Sequence, residues 1–389
     1  MEKIDLIRSR ILKPIGCRPL RELARGSRNV LIVTDDNTRL TPLRHIVPMV
    51  LEELRYAGIA GRQIKILIAS GTHRPMTPGE LSDKFGAKIM RGFKIYSHRW
   101  DNSSFLAKIN SRVAGKKIYI NRLAKDSDFI IGIGSIVPHA TTGFSGGGKI
   151  ILPGICGKDT VEEMHWMALD FQIKDILGKY RNPMREMVDS VALKTGLKFI
   201  VNAVIGKDCK FLDLVAGHPV KAHKSGVELA RKAFGVRFER SADIVVADAR
   251  PMDIDLRQAI KAVAAAGLVV RKGGIIILVA QCPEGVSPQF PEFQKYGFKD
   301  PEGLKKQVEK GRVRSKLMAY TLIVIGRILK YKARVILVSQ GISADTAENL
   351  GFLWAVSLKD ALAMARKLIG KKARVARLNR ACEALPLLN

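Results

Sequence analysis

Within residues 134–165, GSIVPHATTGFSGGGKIILPGICGKDTVEEMH, stand His139, the consecutive glycines Gly146, Gly147 and Gly148, then Lys149 and His165. A lysine offers a fixed charge or a nucleophilic amine. A histidine exchanges a proton or binds a metal near neutral pH. Glycines let backbone N–H groups approach a phosphate, because no Cβ intervenes. The spacing is neither that of a Walker loop, which needs four residues between Gly and Gly-Lys, nor that of the dinucleotide fingerprint. A plain surface turn is the other reading of so much glycine, and the two histidines and the lysine weigh against it. Two earlier segments carry similar chemistry. DDNTRLTP, residues 35–42, contains Asp36, Thr38 and Arg39, and SGTHRPMTP, residues 70–78, contains His73. Arginine suits bidentate hold of a carboxylate or phosphate, and two histidines flanking one substrate suit paired general acid and base.

The elements that position these residues follow from the apolar pattern. Residues 29–34, 63–69 and 129–133 read as short buried strands, each running into one of the three reactive loops. A helix is expected over 43–56, with Pro48 kinking it or delaying its start. Thr77, Pro78 and Glu80 form a helix-start signature, and another helix begins near residue 160. Charged residues at the carboxyl end of a strand, just before a helix, sit where α/β folds bind ligands. Asp36 and Thr38 suit either that role or helix capping. Short apolar segments at 93–96, 105–109 and 117–120 suggest extra strands decorating the sheet, with His98 lining the site or stabilising a turn. Residues 171–196 look mainly helical, 198–204 form a strand, and His218 and His223 read as structural ahead of a helix over 225–234. From residue 242 a fresh α/β alternation begins: strands at 242–247, 274–280 and 334–339, with helices from about 256, at 303–310, 316–330 and 360–369. The chain is therefore α/β with two α/β domains, 1–236 and 237–389.

The 389 residues are 47% hydrophobic, enough for a substantial core, and carry a formal net charge of +30. Nucleic acid is the obvious partner for such charge, yet the cations are spread along the chain and no zinc-finger, RNA-recognition or helix-turn-helix signature accompanies them. The five cysteines, at 17, 156, 209, 282 and 382, form no CxxC pair and suit a reducing cytoplasm. The first residues lack the long apolar core of a secretion signal. The longest apolar stretch, 317–329, is too short to span a bilayer.

Taken together, DDNTRLTP, SGTHRPMTP, PHATTGFSGGGKIILPG and the later His165 resemble the nickel-pincer-dependent lactate racemase family, and the likeness extends to QCPEG at 281–285. The resemblance implies two α/β domains with the active site in the cleft between them. It implies a nickel-pincer nucleotide, a pyridinium-3,5-bisthiocarboxylic acid mononucleotide carrying nickel, attached covalently at Lys149. His165 would ligate nickel. Asp36, Thr38, Ser145 and Gly146 to Gly148 would contact the cofactor. His73 and His139 would be the acid/base pair, and Arg39 would hold the substrate carboxylate. Gln281, Glu284 and Trp354 would stand on the substrate side, Trp354 with a core role as its alternative. The activity implied is racemisation or epimerisation of a 2-hydroxy acid by reversible hydride transfer, with cofactor-maturation proteins as partners and an oligomer open.

Two positions depart from the family pattern. Leu40 stands where relatives more often have proline. Glu284 stands near where lactate racemases place a lysine, and an acid there repels a carboxylate unless it binds hydroxyls. That leaves open a larger or polyhydroxylated 2-hydroxy acid. Other redox-neutral isomerisations with the same cofactor form a second enzyme reading, and a basic α/β nucleic-acid-binding protein without the cofactor is the reading from another class.

Overall fold

The computed structural model describes residues 3–206, 210–288 and 290–388; Cys209 lies outside the described residues. The strands up to residue 217 are β1 (Val30–Thr34), β2 (Ile64–Ile68), β3 (Ile95–Ser97), β4 (Leu106–Val113), β5 (Lys116–Asn121), β6 (Phe129–Ser135), β7 (Pro138–His139), β8 (Gly143–Phe144), β9 (Leu197–Ile205) and β10 (Phe211–Gly217), with β1, β2 and β6 formed from apolar runs. Six of them form one sheet in the order β10-β9-β6-β1-β2-β3. All its pairings are parallel except β9 with β10. Every position of β1 and β6 is buried, as continuous apolar runs require when both faces of a parallel sheet are covered.

Strand order decides where the chemistry goes. β1 lies between β6 and β2, so the three reactive loops leave neighbouring parallel strands at one edge. The chain also changes direction there, with β2 and β3 on one side of β1 and β6 on the other, which is the switch point where open α/β sheets bind ligands.

The segments expected to extend the sheet divide. β3 joins its edge, whereas β4 and β5 form a separate antiparallel hairpin. The helix Leu43–Tyr56 starts where expected with Pro48 inside it, so the proline does not delay the start. Thr77 caps the helix Pro78–Phe85 by accepting the Glu80 N–H, while Glu80 returns a bond to the Thr77 N–H. Within 171–196, expected to be mainly helical, residues 177–182 are not helical and separate the helices Ile173–Ile176 and Pro183–Thr195. The helix Pro219–Phe234 begins earlier than its pattern suggested and takes in His223.

The remaining strands are β11 (Gly235–Phe238), β12 (Ala242–Asp248), β13 (Val270–Val279), β14 (Ala333–Val338), β15 (Leu353–Ala355), β16 (Val375–Leu378) and β17 (Leu385–Leu388). Five make an all-parallel sheet in the order β15-β14-β13-β12-β16, and β11 pairs with β17. The chain thus forms two compact α/β units, Met1–Met164 with Gly178–Ala233, and His165–Leu177 with Phe234–Asn389. Among the described residues no helix is long and apolar enough to cross a membrane.

Candidate active site

The loop after β1 is fixed from beneath by a lysine. Lys84, in the helix Pro78–Phe85, has a side chain only 8% exposed. Its ammonium donates to the carbonyls of Asp36 and Arg39, both at 2.6 Å, and lies 3.3 Å from the Asp35 carboxylate. A buried ammonium demands such partners, and meeting them here ties two backbone points of the loop to one side chain. Burial pushes the Asp35 carboxyl up, against the pull of Lys84 and the Thr41 hydroxyl.

On that frame Asp36 faces His73. The carboxylate Oδ2 lies 2.7 Å from His73 Nδ1, and Oδ1 accepts from the Thr38 N–H at 3.0 Å and the Thr38 hydroxyl at 2.5 Å. Burial alone would raise Asp36, but His73, the Thr38 hydroxyl and Arg39 together hold it well below the ordinary carboxylate range. An ionised Asp36 accepts, so the proton sits on His73 Nδ1 and the lone pair on Nε2. Asp36 and Thr38 are not helix caps: the residue before the helix Leu43–Tyr56 is Pro42, with no side-chain cap bond. Both Asp36 oxygens already have protein partners, so the structure gives this residue the work of orienting His73 beside any contact with a cofactor. Arg39, half-buried, donates to the Thr38 carbonyl at 3.0 Å.

His139 ends β7 with the opposite polarity. Its Nδ1 accepts the Thr141 N–H at 3.2 Å, with the Thr142 hydroxyl 3.4 Å away. A ring that accepts at Nδ1 carries its proton on Nε2. The two neutral rings therefore differ in tautomer, His73 presenting a lone pair at Nε2 and His139 an N–H that donates a hydrogen bond; His139 serves as an acid only once its ring is protonated.

The glycine loop is built by close packing. A Cβ on Gly147 would meet the His223 ring at 2.8 Å, one on Gly146 would meet Asn202 and Ile136 at 2.8 Å, and one on Gly148 would meet Ala192 and Asp189 at 2.9 Å. The amides of Ser145, Gly147, Gly148 and Lys149 are committed within the protein. Gly147 N–H donates to Asn202 Oδ1 at 2.8 Å, Gly148 N–H to Asp189, Lys149 N–H to the Gly146 carbonyl and Ser145 N–H to the Val137 carbonyl. Ser145 Oγ bridges the Ser135 carbonyl and the Val137 N–H at 2.8 and 2.9 Å. This differs from a cradle whose amides face a phosphate: these glycines hold the loop down so that half-buried Lys149 stands at its end.

Three residues that the reactive motifs do not contain do the holding. His223, wholly buried and driven far below its ordinary value by burial and by Arg185, donates from Nε2 to the Ser145 carbonyl at 2.8 Å. Arg185, 2% exposed, donates to the carbonyls of Phe144 and Gly146 and to Asp189. Asn202 is the one buried polar side chain in strand β9, and a buried polar residue in such a run is the signal by which sequence reading finds it. Lys84 gives no such signal, because a lysine on an amphipathic surface helix is ordinary.

His98 stabilises a turn. It is 1% exposed, with Nε2 3.0 Å from the Cys156 carbonyl and Nδ1 3.2 Å from the Asn121 amide. Burial holds it down at about 4.

The other expected site residues belong to the second unit. His165 lies in the last turn of the helix Lys158–Met167, half-buried, its ring edge-on to Tyr320 at 5.3 Å. Gln281 and Glu284 occupy an exposed turn after β13, where Gln281 N–H donates to Asp253 at 2.9 Å and Glu284 N–H to the Ile254 carbonyl at 2.9 Å. Ser339 and Gly341, after the neighbouring β14, both donate to the Gln281 carbonyl. Trp354, in β15, is half-buried and donates from Nε1 to the Ile342 carbonyl at 3.1 Å.

The first unit's residues fit an anionic, covalently held cofactor. Lys149 supplies an amine. The hydroxyls of Thr34 and Ser135, at the carboxyl ends of the adjacent strands β1 and β6, are buried without hydrogen-bond partners, leaving polar capacity at that edge. Among the described residues no group of three or more His, Cys, Asp or Glu is arranged to hold a metal.

Comparison with known proteins finds relatives over most of the chain. The lactate racemase N-terminal domain model matches residues 1–174, and the lactate racemase C-terminal domain model matches residues 238–381. Lactate racemase of Thermoanaerobacterium thermosaccharolyticum is 31% identical over 383 residues, covering 96% of this chain and 88% of that protein. Lactate racemase of Lactiplantibacillus plantarum is 32% identical over 365 residues, covering 93% and 86%. The lactate racemase apoprotein structure from T. thermosaccharolyticum superposes with a TM-score of 0.90 at 30% identity, covering 100% of this chain and 93% of that one. A Thermotoga maritima protein shares the fold, with a TM-score of 0.80 at 23% identity.

Proposed function

This chain belongs to the lactate racemase family of isomerases, and from that premise we propose that it racemises or epimerises a 2-hydroxy acid with a nickel-pincer nucleotide carried on Lys149. Lys149 would hold the organic part through its amine, and His165 would ligate nickel. The chemistry the group supplies when bound is reversible uptake of hydride from the substrate's hydroxyl-bearing carbon.

The protein's own residues do the rest. Arg39 pairs with the substrate carboxylate and fixes the reacting carbon. His73 Nε2 takes the hydroxyl proton, and Asp36 stabilises the imidazolium that results. His139, entering the turnover as the imidazolium, gives a proton from Nε2 to the carbonyl oxygen of the keto acid. Each turnover leaves the two histidines with exchanged protonation, so the reverse reaction finds them in the roles it needs. The observation that supports this reading is the 2.7 Å Asp36–His73 bond, which leaves the lone pair of the neutral His73 ring on Nε2 and suits it as the base. Glu284 would accept hydrogen bonds from a hydroxylated substrate tail. We place the enzyme in the cytoplasm, with cofactor-maturation proteins as partners.

The test uses protein made alongside the maturation machinery. Lys149→Ala should lose the covalent adduct by intact mass and all racemisation, while its circular dichroism stays that of the wild type. An unchanged adduct mass in the variant would remove Lys149 from the mechanism.

A further inference from the structure

The net charge of +30 is not explained by one active site, and part of it is concentrated. A pocket of about 440 Å³ opens between the β4–β5 hairpin and the helix Pro183–Thr195, lined by Lys108, Arg112, Lys117 and Lys194. No acidic or aromatic side chain is among its lining residues.

Hairpin register puts three of these cations on one face. Arg112 stands directly opposite Lys117, and Lys108 stands opposite Tyr119, two residues along from Lys117. Like charges directly opposite on a sheet are destabilising. The register shifts between Ile109 and Arg112, so Asn110 and Ser111 drop out of the ladder and turn toward the pocket they line; a bulge of this kind re-aims side chains. Lys194 approaches from the helix side. The Lys108 ammonium is held below its ordinary value, first by the charge on Lys117 and its contact with that side chain, then by burial and Arg112. Arg112 donates to the Gly115 carbonyl at 2.7 Å, a neutral partner that leaves its charge uncompensated.

We propose that this pocket binds a polyvalent phosphate anion, a free polyphosphate or the phosphate chain of a nucleotide. Four cations around a concave volume of that size match a compact anion of several charges, and the Asn110 and Ser111 polar groups add neutral donors. The absence of an aromatic lining residue takes away the platform on which bases of single-stranded nucleic acid stack, so the phosphates themselves are read. The helix wall also serves the lysine loop: Arg185 and Asp189, on its other face, hold Gly146 and Gly148.

The experiment is calorimetric titration of the full chain with sodium tripolyphosphate and, separately, with ATP, at about 50 mM and about 300 mM salt. A single saturable site that weakens with salt is expected. Lys108→Gln/Lys117→Gln should bind about tenfold or more weakly and, without ligand, melt no lower than the wild type, because the substitutions relieve repulsion. The control Lys371→Gln/Lys372→Gln, exposed lysines outside the pocket, should bind within about twofold of the wild type. Equal binding of the two ligands identifies the phosphate chain alone as the ligand, and tighter ATP binding identifies a nucleotide. Absence of saturable binding, equal loss in the control variant, or binding of a single-stranded RNA oligomer but not of tripolyphosphate overturns the proposal.

Discussion

Asp36→Asn separates orientation from mere presence of His73. Asparagine keeps an oxygen for Thr38 and changes little in volume, so the loop that Lys84 clamps should stay in place. What changes is the partner of His73 Nδ1. An amide cannot carry the charge that steadies the imidazolium, and its NH₂ can donate to Nδ1, moving the ring proton to Nε2 and removing the lone pair from the reacting side. At an effective dielectric of about 20, unit charges about 4 Å apart interact by about 4 kcal/mol, close to three decades in rate at about 1.4 kcal/mol per decade. The His73 side chain is 26% exposed and Asp36 4%, so screening by water trims this only in part. The expected loss is about 10²–10⁴-fold, the usual span for a positioned base. Initial rates in both directions, read by chiral chromatography on cofactor-loaded enzyme, give the number. Two residues acting as one unit predict that Asp36→Asn/His73→Ala is hardly slower than His73→Ala alone. Nitrogen NMR of the His73 ring supplies a readout that needs no turnover. A near-normal rate for Asp36→Asn, or a double variant losing the product of the two single losses, would refute the coupling.

Other expectations follow from the same residues. His165→Ala should keep the organic adduct on Lys149 and lose nickel; full metal content in that variant would place the ligand elsewhere. A polyhydroxy acid of the aldonate type should turn over faster than lactate, and Glu284→Lys should shift preference toward acids with a second negative charge; an unchanged substrate profile in that variant would show that Glu284 does not read the tail. Stability should fall with acid between about pH 6.5 and 4, because the unfolded chain protonates His98 near its ordinary value while the folded protein resists to about 4. The full effect is about 3 kcal/mol. His98→Gln should show a shallower dependence of melting temperature on pH, with His223, shifted the same way, supplying the remaining slope.

The reactive loops were legible because each combines a buried apolar strand with polar residues at its carboxyl end, a pattern that depends on chain-local periodicity. Their adjacency was not, since it rests on β1 lying between β6 and β2, and strand order is a property of the packed sheet. Asp36 and Thr38 looked as much like caps as ligands for the same reason. Both roles place a short polar side chain before a helix, and only the position of His73, on a different loop, separates them. Apolar alternation does not separate the hairpin β4–β5 from a sheet edge, because it records that a strand has a buried face and not which partner it finds.

The glycine run shows most clearly what local sequence leaves undecided. Three glycines before a lysine can mean amides turned outward to an anion or a backbone pressed inward against its neighbours, because both require the missing Cβ. Here all three glycines are pressed against their neighbours, and the Gly147 and Gly148 amides bond within the protein. Gly146, Gly147 and Gly148 have no room for a side chain against Asn202, His223 and Asp189, and those same residues or their neighbours take the loop's hydrogen bonds. The consequence is mechanical. A lysine that is to carry a group covalently and present it to two histidines must not move, and a lysine side chain has four rotatable bonds. Rigidity therefore has to come from the backbone beneath it, and it comes from polar groups on β9 and on the two helices Pro183–Thr195 and Pro219–Phe234. Each bears on the loop from a different element, so loosening any one should leave the fold standing while widening the range of positions open to the Lys149 amine.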